Sequence, residues 1–146
     1  SGEGLAAAQA HIEGHLAHEA MMLQPYLPQV ETFGEVSALF FDGRLSHGVR
    51  KIPVAGDYRV QDDFGASDEP YAWDGDELAL AQRTVEAAAT LLKLDAPLLY
   101  ARADFLRGDD GGLLLTELEL VEPSLFFRHD NGAAERLADA LLARLT

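Results

Sequence analysis

The sequence predicts an α+β fold with a largely antiparallel sheet and flanking helices. Two pairs of apolar runs are each interrupted by a turn signal, Asp42-Gly43 in the first pair and the Gly-rich segment 108–112 in the second. Such pairs are typical of β-hairpins. Three other segments repeat their apolar residues at helical spacing: one before the first hairpin, one between the hairpins and one after the second.

Composition indicates one globular domain, residues 1–146. The chain is long enough for a core, and 48% of its residues are hydrophobic. A formal net charge of −14 disfavours nucleic acid and membranes as partners, since the phosphate backbone and anionic lipids select basic surfaces. The absence of cysteine excludes disulfides and thiolate chemistry. No apolar run reaches transmembrane length and no signal peptide is visible, so we expect a cytoplasmic location.

Residues 5–20 are predicted to form the first helix. Its apolar stripe consists of Leu5, Ala8, Ile12 and Leu16. Three histidines border that stripe: His11, His15 and His18. Histidines four residues apart on a helix can bind zinc. On such an Ala-rich helix, however, a polar boundary is the preferred interpretation.

Residues 21–27, MMLQPYL, are predicted to form a short apolar strand that gives way to an extended crossover at Pro25 and Pro28. Proline removes a backbone donor, so this segment leaves neighbouring backbone groups free. Two interpretations are open. The crossover is either a surface that hydrogen-bonds a flat heterocycle or a plain Pro-rich connector.

Residues 34–51 are predicted to form the first hairpin, with a type I′ turn at Asp42-Gly43. Pairing Phe41 with Arg44 across this turn places Glu35 opposite Arg50, where we expect an ion pair. The same register puts His47 on the core face beside Val36, Ala38 and Phe40. A lone histidine there is more often a hydrogen-bonded boundary residue than a catalyst.

Residues 51–67 are predicted to form a loop that contains Gly56, Asp57 and Gly65. Long loops in compact domains are often functional. Lys51 and Arg59 are scarce cations in this acidic chain. Beside a bound metal–nucleotide they would neutralise phosphate charge.

Two further helices are predicted. Residues 76–92 follow a capping-box-like start at Asp74 and Glu77. Their buried face would consist of Leu78, Ala81, Val85, Ala88 and Leu92. The last helix would be capped by Asp130 or Asn131. Its apolar face would consist of Leu137, Leu141, Leu142 and Leu145.

The second hairpin, Pro97–Leu106 with Leu113–Val121, concentrates charge inside apolar strands. Strand alternation puts Arg102 and Asp104 on one face, and likewise Glu117 and Glu119. If Leu106 pairs with Leu113, all four side chains converge on one side. A divalent cation such as Mg²⁺ or Mn²⁺ would compensate the three carboxylates. The alternative is a solvated face with ordinary ion pairs.

The run A-R-A-D-F-L followed by L-L-L-T-E-L-E-L-V-E-P-S resembles the C-terminal metal-binding signature of ATP-grasp ligases. The form with Glu119 and E-P-S-L-F-F is most like a glutathione-synthetase-like branch that includes ligases of cycloserine biosynthesis. The run R-K-I-P-x-x-G-D-Y-R-V-Q resembles the phosphate-contacting segment of glutathione-synthetase-like ligases, and it stands in the expected order.

This resemblance implies a role for each candidate residue. Asp104, Glu117 and Glu119 would bind Mg²⁺ or Mn²⁺, Lys51 and Arg59 would contact phosphate, and Arg102 would stabilise the oxyanion on the acyl carbon. The segment 21–27 would be the hinge that cradles adenine. The nucleotide-binding residues there would be Gln24, Tyr26, Leu27 and Glu31, the last of them at the ribose.

The resemblance implies a magnesium- and ATP-dependent ligase that joins a small-molecule carboxylate to an amine through an acyl phosphate. The chain would be the C-terminal part of the ATP-grasp catalytic domain, without the N-terminal substrate domain and the lid subdomain. We therefore expect weak ATP binding, no turnover by this chain alone, and either a homo-oligomer or pairing with the missing half. The alternative is a non-catalytic acidic α+β module that binds a divalent cation or a protein.

Overall fold

The computed structural model describes residues 2–145, without the side chains of Glu3 and Asp62. Within that range the five strands are β1 (Glu35–Phe41), β2 (Arg44–Ile52), β3 (Ser67–Pro70), β4 (Tyr100–Arg107) and β5 (Leu113–Glu119). The three α-helices are α1 (Gly2–Leu16), α2 (Gly75–Leu91) and α3 (Ala133–Leu142). Short 3₁₀ helices cover Pro28–Glu31, Asp62–Phe64 and Phe127–His129.

All five strands form one open antiparallel sheet in the order β3-β2-β1-β4-β5. The predicted α+β fold class is confirmed. Both predicted hairpins are present, and they lie side by side because β1 pairs with β4. The predicted loop 51–67 contains the 3₁₀ helix Asp62–Phe64, and at its end begins the edge strand β3, which pairs with β2.

The turn between β1 and β2 has the predicted chemistry, but the register differs from the prediction. Asp42 and Gly43 both have positive φ, 48° and 71°, as a type I′ turn requires. A β-bulge then inserts Ser46, so that Leu39 pairs with His47 and Glu35 pairs with Lys51. The predicted pairing of Glu35 with Arg50 is therefore wrong.

One face of the sheet carries the main core. The side chains of Val36, Ala38, Phe40, Ala103 and Phe105 on this face are fully buried. Helix α2 covers them with Ala81 and Val85. The alternation of apolar residues along β1 and β4 thus determines which face α2 occupies. We call the opposite face the polar face, because the charged residues described below lie on it.

The bulge moves His47 from the predicted core face to the polar face. There it shares the face with Leu39 and Val49, which form a second, smaller apolar cluster with Phe126. His47 is 8% exposed. Its Nε2 lies 3.0 Å from the carbonyl oxygen of Leu125, and its Nδ1 lies 3.0 Å from the hydroxyl of Ser46. His47 is thus a hydrogen-bonded residue, but on the other face from the one predicted.

The predicted apolar faces of two helices are largely exposed. Helix α1 spans a similar range to the prediction, but Leu5 and Leu16 are 73% and 55% exposed. Helix α3 leaves Leu141, Leu142 and Leu145 exposed as well. Periodicity predicted these helices correctly, because helix formation is local. Periodicity does not tell which apolar residues are buried, because burial also requires a partner surface, and among the described residues none covers most of these leucines.

The predicted strand at 21–27 is also wrong. These residues have no regular secondary structure, and Met22 and Leu23 are more than 80% exposed. A strand needs a hydrogen-bonding partner, and none of the described strands runs beside this segment.

The expected capping hydrogen bonds of α2 and the expected cap residue of α3 are not found. Asp74 is the N-cap of α2 but makes no side-chain cap hydrogen bond, and Glu77 accepts hydrogen bonds from Tyr71 and Arg107. Gly132, not Asp130 or Asn131, is the N-cap of α3, and Asp130 accepts a hydrogen bond from the Gly132 amide. None of the described helices combines the length and the apolar character needed to cross a bilayer.

Gly48 is a position where we expect any side chain to be costly. A Cβ there would lie 2.3 Å from the Trp73 ring and 2.5 Å from the Tyr71 carbonyl oxygen. Overpacking of this kind costs about 1–3 kcal/mol. Gly48→Ala should therefore lower the melting temperature by roughly 3–10 °C. Gly14→Ala is the control, because nothing lies within 4 Å of its Cβ position. Equal melting temperatures for Gly48→Ala and the wild type would contradict this packing.

His47 should make stability depend on pH. Burial lowers the pKa of His47 below its ordinary value, although the Leu125 carbonyl and Asp130 oppose this shift and Arg136 adds to it. The unfolded chain then binds a proton near pH 6.5 that the folded chain does not bind. The contribution of neutral His47 to the free energy of unfolding is thus fully present above pH 6.5 and is lost as the pH falls further. We expect the melting temperature to fall less between pH 7.5 and 5.5 in His47→Gln than in the wild type. Parallel pH profiles would exclude this contribution.

Candidate functional site

The polar face gathers charged side chains from four neighbouring strands. They are Glu35 on β1, Lys51 on β2, Arg102 and Asp104 on β4, and Glu117 and Glu119 on β5. Alternation along each strand gives this face its side chains, and the antiparallel pairings bring them level with one another. We call these six residues the charged cluster.

The second hairpin brings its four charged residues together as predicted, but its strands pair in a different register. Near the turn, Leu106 pairs with Leu114, one residue away from the predicted Leu113. A β-bulge at Thr116 then shifts the register again, so that Asp104 pairs with Glu117 and Arg102 with Glu119. The two one-residue offsets add up to two residues, so each side chain lies on the same face as in the predicted register. The four charged residues therefore lie on one face, although the predicted pairing at Leu106 is wrong.

Asp104 is the centre of the charged cluster and is fully buried. Arg102 donates to it from Nε, at 3.0 and 3.1 Å, and from Nη2, at 2.9 Å. Lys51 donates to the same carboxylate at 3.1 Å. Burial lowers the pKa of Arg102, but the hydrogen bonds with Asp104 and the charges of Asp104, Glu119 and Glu117 together outweigh burial and hold that pKa above its ordinary value.

Lys51 and Arg102 each link Asp104 to a further carboxylate. Lys51 also donates to Glu35. Arg102 Nη2 also donates to Glu119 and lies 3.8 Å from a Glu117 oxygen. Sequence reasoning missed Glu35 in this role, because the predicted register paired it with Arg50. Arg50 instead pairs with Glu69 at 2.9 Å.

The charged cluster holds four carboxylates against two cations, an excess of two negative charges. Oxygen atoms of Asp104, Glu117 and Glu119 all lie within 4.8 Å of one another. Burial raises the pKa of Glu119, and Glu117 and Asp104 add to this although Arg102 opposes it. Burial likewise raises the pKa of Glu35. Hard oxygen donors with an unbalanced charge of two fit a divalent cation such as Mg²⁺ or Mn²⁺.

The predicted hinge residues lie beside a cavity of about 200 Å³ that Tyr26, Leu27 and Val30 help to line. The Tyr26 hydroxyl donates to Glu31, and this hydrogen bond raises the pKa of Tyr26 to about 12. Leu27 accepts a backbone hydrogen bond from Val30 at 3.1 Å. Gln24 is exposed and does not line the cavity. The structure thus brings three of the four predicted nucleotide-binding residues together.

A second cavity, of about 410 Å³, lies over the charged cluster. Its wall includes Lys51, Arg102, Glu117, Glu119, Ser124 and Phe126. Three residues line both cavities: Glu35, Val60 and Gln61. The hinge cavity is therefore adjacent to the charged cluster. A larger cavity of about 520 Å³ lies between α2 and residues 94–98, and none of the cluster residues lines it.

Arg59 is the predicted phosphate-binding residue that the structure leaves outside the charged cluster. It lines the hinge cavity, but its guanidinium donates to Asp57 in its own loop, from Nε at 3.0 Å and from Nη2 at 2.6 Å. The guanidinium carbon also lies 3.9 Å from the centroid of the Phe64 ring. Its neighbours Val60 and Gln61 reach both cavities, so Arg59 stands close to the boundary between them.

Comparison with known proteins gives one clear relative in sequence. No protein-family model matches the chain. The cycloserine biosynthesis protein DcsG of Streptomyces lavendulae is 36% identical over 143 residues, which cover 94% of this chain and 47% of DcsG. The chain thus spans about half the length of this curated relative.

Solved structures agree in fold. The crystal structure of the D-cycloserine synthetase DcsG matches 84% of this chain and 42% of that chain, with a TM-score of 0.74 and 36% identity. The ATP-grasp ligase PsnB, solved with a phosphomimetic variant of its minimal precursor, Mg and ADP, matches 97% of this chain and 50% of that chain (TM-score 0.53, 20% identity). The structure of D-alanine–D-alanine ligase from Bacillus anthracis with ATP matches 75% of this chain and 36% of that chain (TM-score 0.50, 19% identity). The chain is therefore homologous to DcsG over nearly its whole length, and its sheet and helices have the fold of part of an ATP-grasp ligase.

Proposed function

We propose that this chain is part of an ATP-dependent carboxylate–amine ligase, corresponding to the C-terminal part of the ATP-grasp catalytic domain. In this role it supplies the Mg²⁺-binding carboxylates and half of the ATP site. The observation that carries the proposal is the proximity of Asp104, Glu117 and Glu119, within 4.8 Å of one another, next to a hinge cavity. The homology to a D-cycloserine synthetase supports it.

The reaction would proceed in two steps through an acyl phosphate. A substrate carboxylate oxygen attacks the γ-phosphorus of ATP, and the bond to the ADP oxygen breaks. An amine then attacks the acyl carbon, and phosphate leaves as the C–N bond forms. Such a ligase acts on small-molecule acids and amines, and the cytoplasm supplies its ATP.

Each site residue has a role that its contacts permit. Asp104, Glu117 and Glu119 would hold Mg²⁺, which when bound neutralises phosphate charge during phosphoryl transfer. Lys51 lies in the cavity wall and would face the phosphates. To contact phosphate, the Arg59 guanidinium would release the Asp57 carboxylate and donate to phosphate oxygens instead. Arg102 would stabilise the oxyanion through Nη1, whose hydrogen bond to Ser124 is long at 3.4 Å.

The hinge cavity would take the adenine and the ribose. Tyr26 and Leu27 line it, and Gln24 would approach it from the preceding exposed segment. Glu31 would accept from the ribose hydroxyls, in competition with the Tyr26 hydroxyl that it binds in this structure. The remaining nucleotide contacts would come from the other half of the ligase, present either as a paired segment or in a homo-oligomer.

We expect this chain to bind Mg²⁺–ATP weakly and to show no turnover by itself. Mg²⁺ prefers one or two carboxylates together with phosphate oxygens and water, so metal and nucleotide should bind together. Isothermal titration with ATP should give heat in the presence of Mg²⁺ and none in EDTA. Metal binding that is indifferent to ATP would instead favour the alternative, a non-catalytic acidic module.

Glu117→Gln should separate metal binding from folding. The Glu117 side chain is 56% exposed, so the variant should fold. Loss of a ligand should weaken Mg²⁺-dependent ATP binding by at least about tenfold, the lower end of the loss seen when an outer-shell partner is removed. The melting temperature without metal should be unchanged or higher, because the substitution relieves repulsion between carboxylates.

Glu135→Gln is the matched control for Glu117→Gln. It removes the same charge from an exposed position on α3, outside the charged cluster and both cavities. We expect it to bind Mg²⁺–ATP as the wild type does. Equal binding by Glu117→Gln and Glu135→Gln would show that Glu117 is not a metal ligand.

A further inference from the structure

His47 contacts a turn that lies outside the regular secondary structure. Residues 120–126 follow β5 and contain no helix or strand. His47 Nε2 lies 3.0 Å from the Leu125 carbonyl oxygen. A carbonyl oxygen only accepts hydrogen bonds, so Nε2 carries the proton in this contact. The unprotonated Nδ1 then accepts from the Ser46 hydroxyl, at 3.0 Å.

This turn has an unfavourable backbone. Glu122 and Phe126 have φ values of 59° and 47°, in the left-handed region that residues other than glycine rarely adopt. Such conformations persist only where the surroundings enforce them, and they concentrate at functional sites. The His47 hydrogen bond and the packing of Phe126 against Leu39 and Val49 are among the contacts that hold the turn in this conformation.

The same turn forms one wall of the cavity over the charged cluster. Ser124 and Phe126 line that cavity. The Ser124 carbonyl accepts from Arg102 Nη1, and the Phe126 ring centroid lies 5.9 Å from the Arg102 guanidinium carbon. Arg102 thus has Asp104 and Glu119 on one side and the turn on the other.

We propose that His47 is a positioning residue for the nucleotide site. By donating from Nε2 to Leu125, it holds the turn of residues 120–126 against Arg102. Arg102 then stays where its Nη2 donates to Asp104 and Glu119, two of the proposed metal ligands. This inference rests on the proposed function. It adds to that function a residue that touches neither nucleotide nor metal and acts through the turn and Arg102.

The test compares two substitutions of His47. His47→Gln keeps an N–H donor in reach of Leu125, whereas His47→Leu keeps the bulk and removes the donor. Val85→Ala is the control for lost stability, because Val85 is a buried residue of α2, which packs on the opposite face of the sheet. Two quantities are measured in each variant: hydrogen exchange of residues 122–127 without ligand, and the dissociation constant for ATP in saturating Mg²⁺ at a temperature where each variant is folded.

We expect His47→Leu to speed hydrogen exchange in the turn more than it speeds hydrogen exchange in the sheet. It should also weaken ATP binding about tenfold, as outer-shell substitutions typically do. His47→Gln should stay within about twofold of the wild type, and Val85→Ala should leave the binding unchanged. In an Arg102→Met background His47→Leu should have no further effect, since the two residues act in series.

If the wild type binds Mg²⁺–ATP, three results would overturn the positioning role of His47 and leave the proposed function standing. They are unchanged binding by His47→Leu, equal losses in His47→Gln and His47→Leu, or an undiminished effect of His47→Leu in the Arg102→Met background. No Mg²⁺–ATP binding by the wild type would overturn the proposed function, and the positioning role with it. The two failures are thus told apart by the wild type.

Discussion

The buried carboxylate of Asp104 is the constraint on which the polar face depends. A carboxylate that is removed from water costs several kcal/mol unless cations and hydrogen bonds compensate it. Arg102, two residues away on the same strand, and Lys51, from the other side of β1, provide that compensation. Each of these cations also binds a further carboxylate. One buried charge therefore organises side chains from four strands.

Two single-residue bulges decide which side chains take part. Ser46 in β2 turns Lys51 and His47 toward the polar face, and Thr116 in β5 brings Glu117 and Glu119 level with Asp104 and Arg102. Bulges re-aim side chains and are common beside active sites. Without the Ser46 insertion, Lys51 would lie on the face that α2 covers, and Asp104 would lose one of its two cations. The charged cluster is thus a product of irregular pairing within a regular sheet.

The two faces of the sheet serve different purposes. The face under α2 is apolar and fully packed, and it stabilises the domain by burying residues such as Phe40 and Phe105. The polar face keeps an excess of two negative charges and raised pKa values at Glu35 and Glu119. That arrangement is unfavourable without a counter-ion, as is usual for sites that bind a charged ligand. Stability from the apolar face allows the polar face to retain this charge.

Local features of this protein could be predicted from the sequence, and non-local ones could not. The Asp42-Gly43 turn, the antiparallel hairpins and the shared face of Arg102 with Asp104 follow from backbone preferences and alternation within a few residues. The ATP-grasp resemblance rested on the same short motifs. Tertiary structure alone decided the bulges at Ser46 and Thr116, the Glu35–Lys51 pair, the contact of His47 with Leu125 and the exposure of the α1 and α3 leucines. Register and burial depend on which distant segments pack together, and spacing along one strand or helix carries no information about that partner.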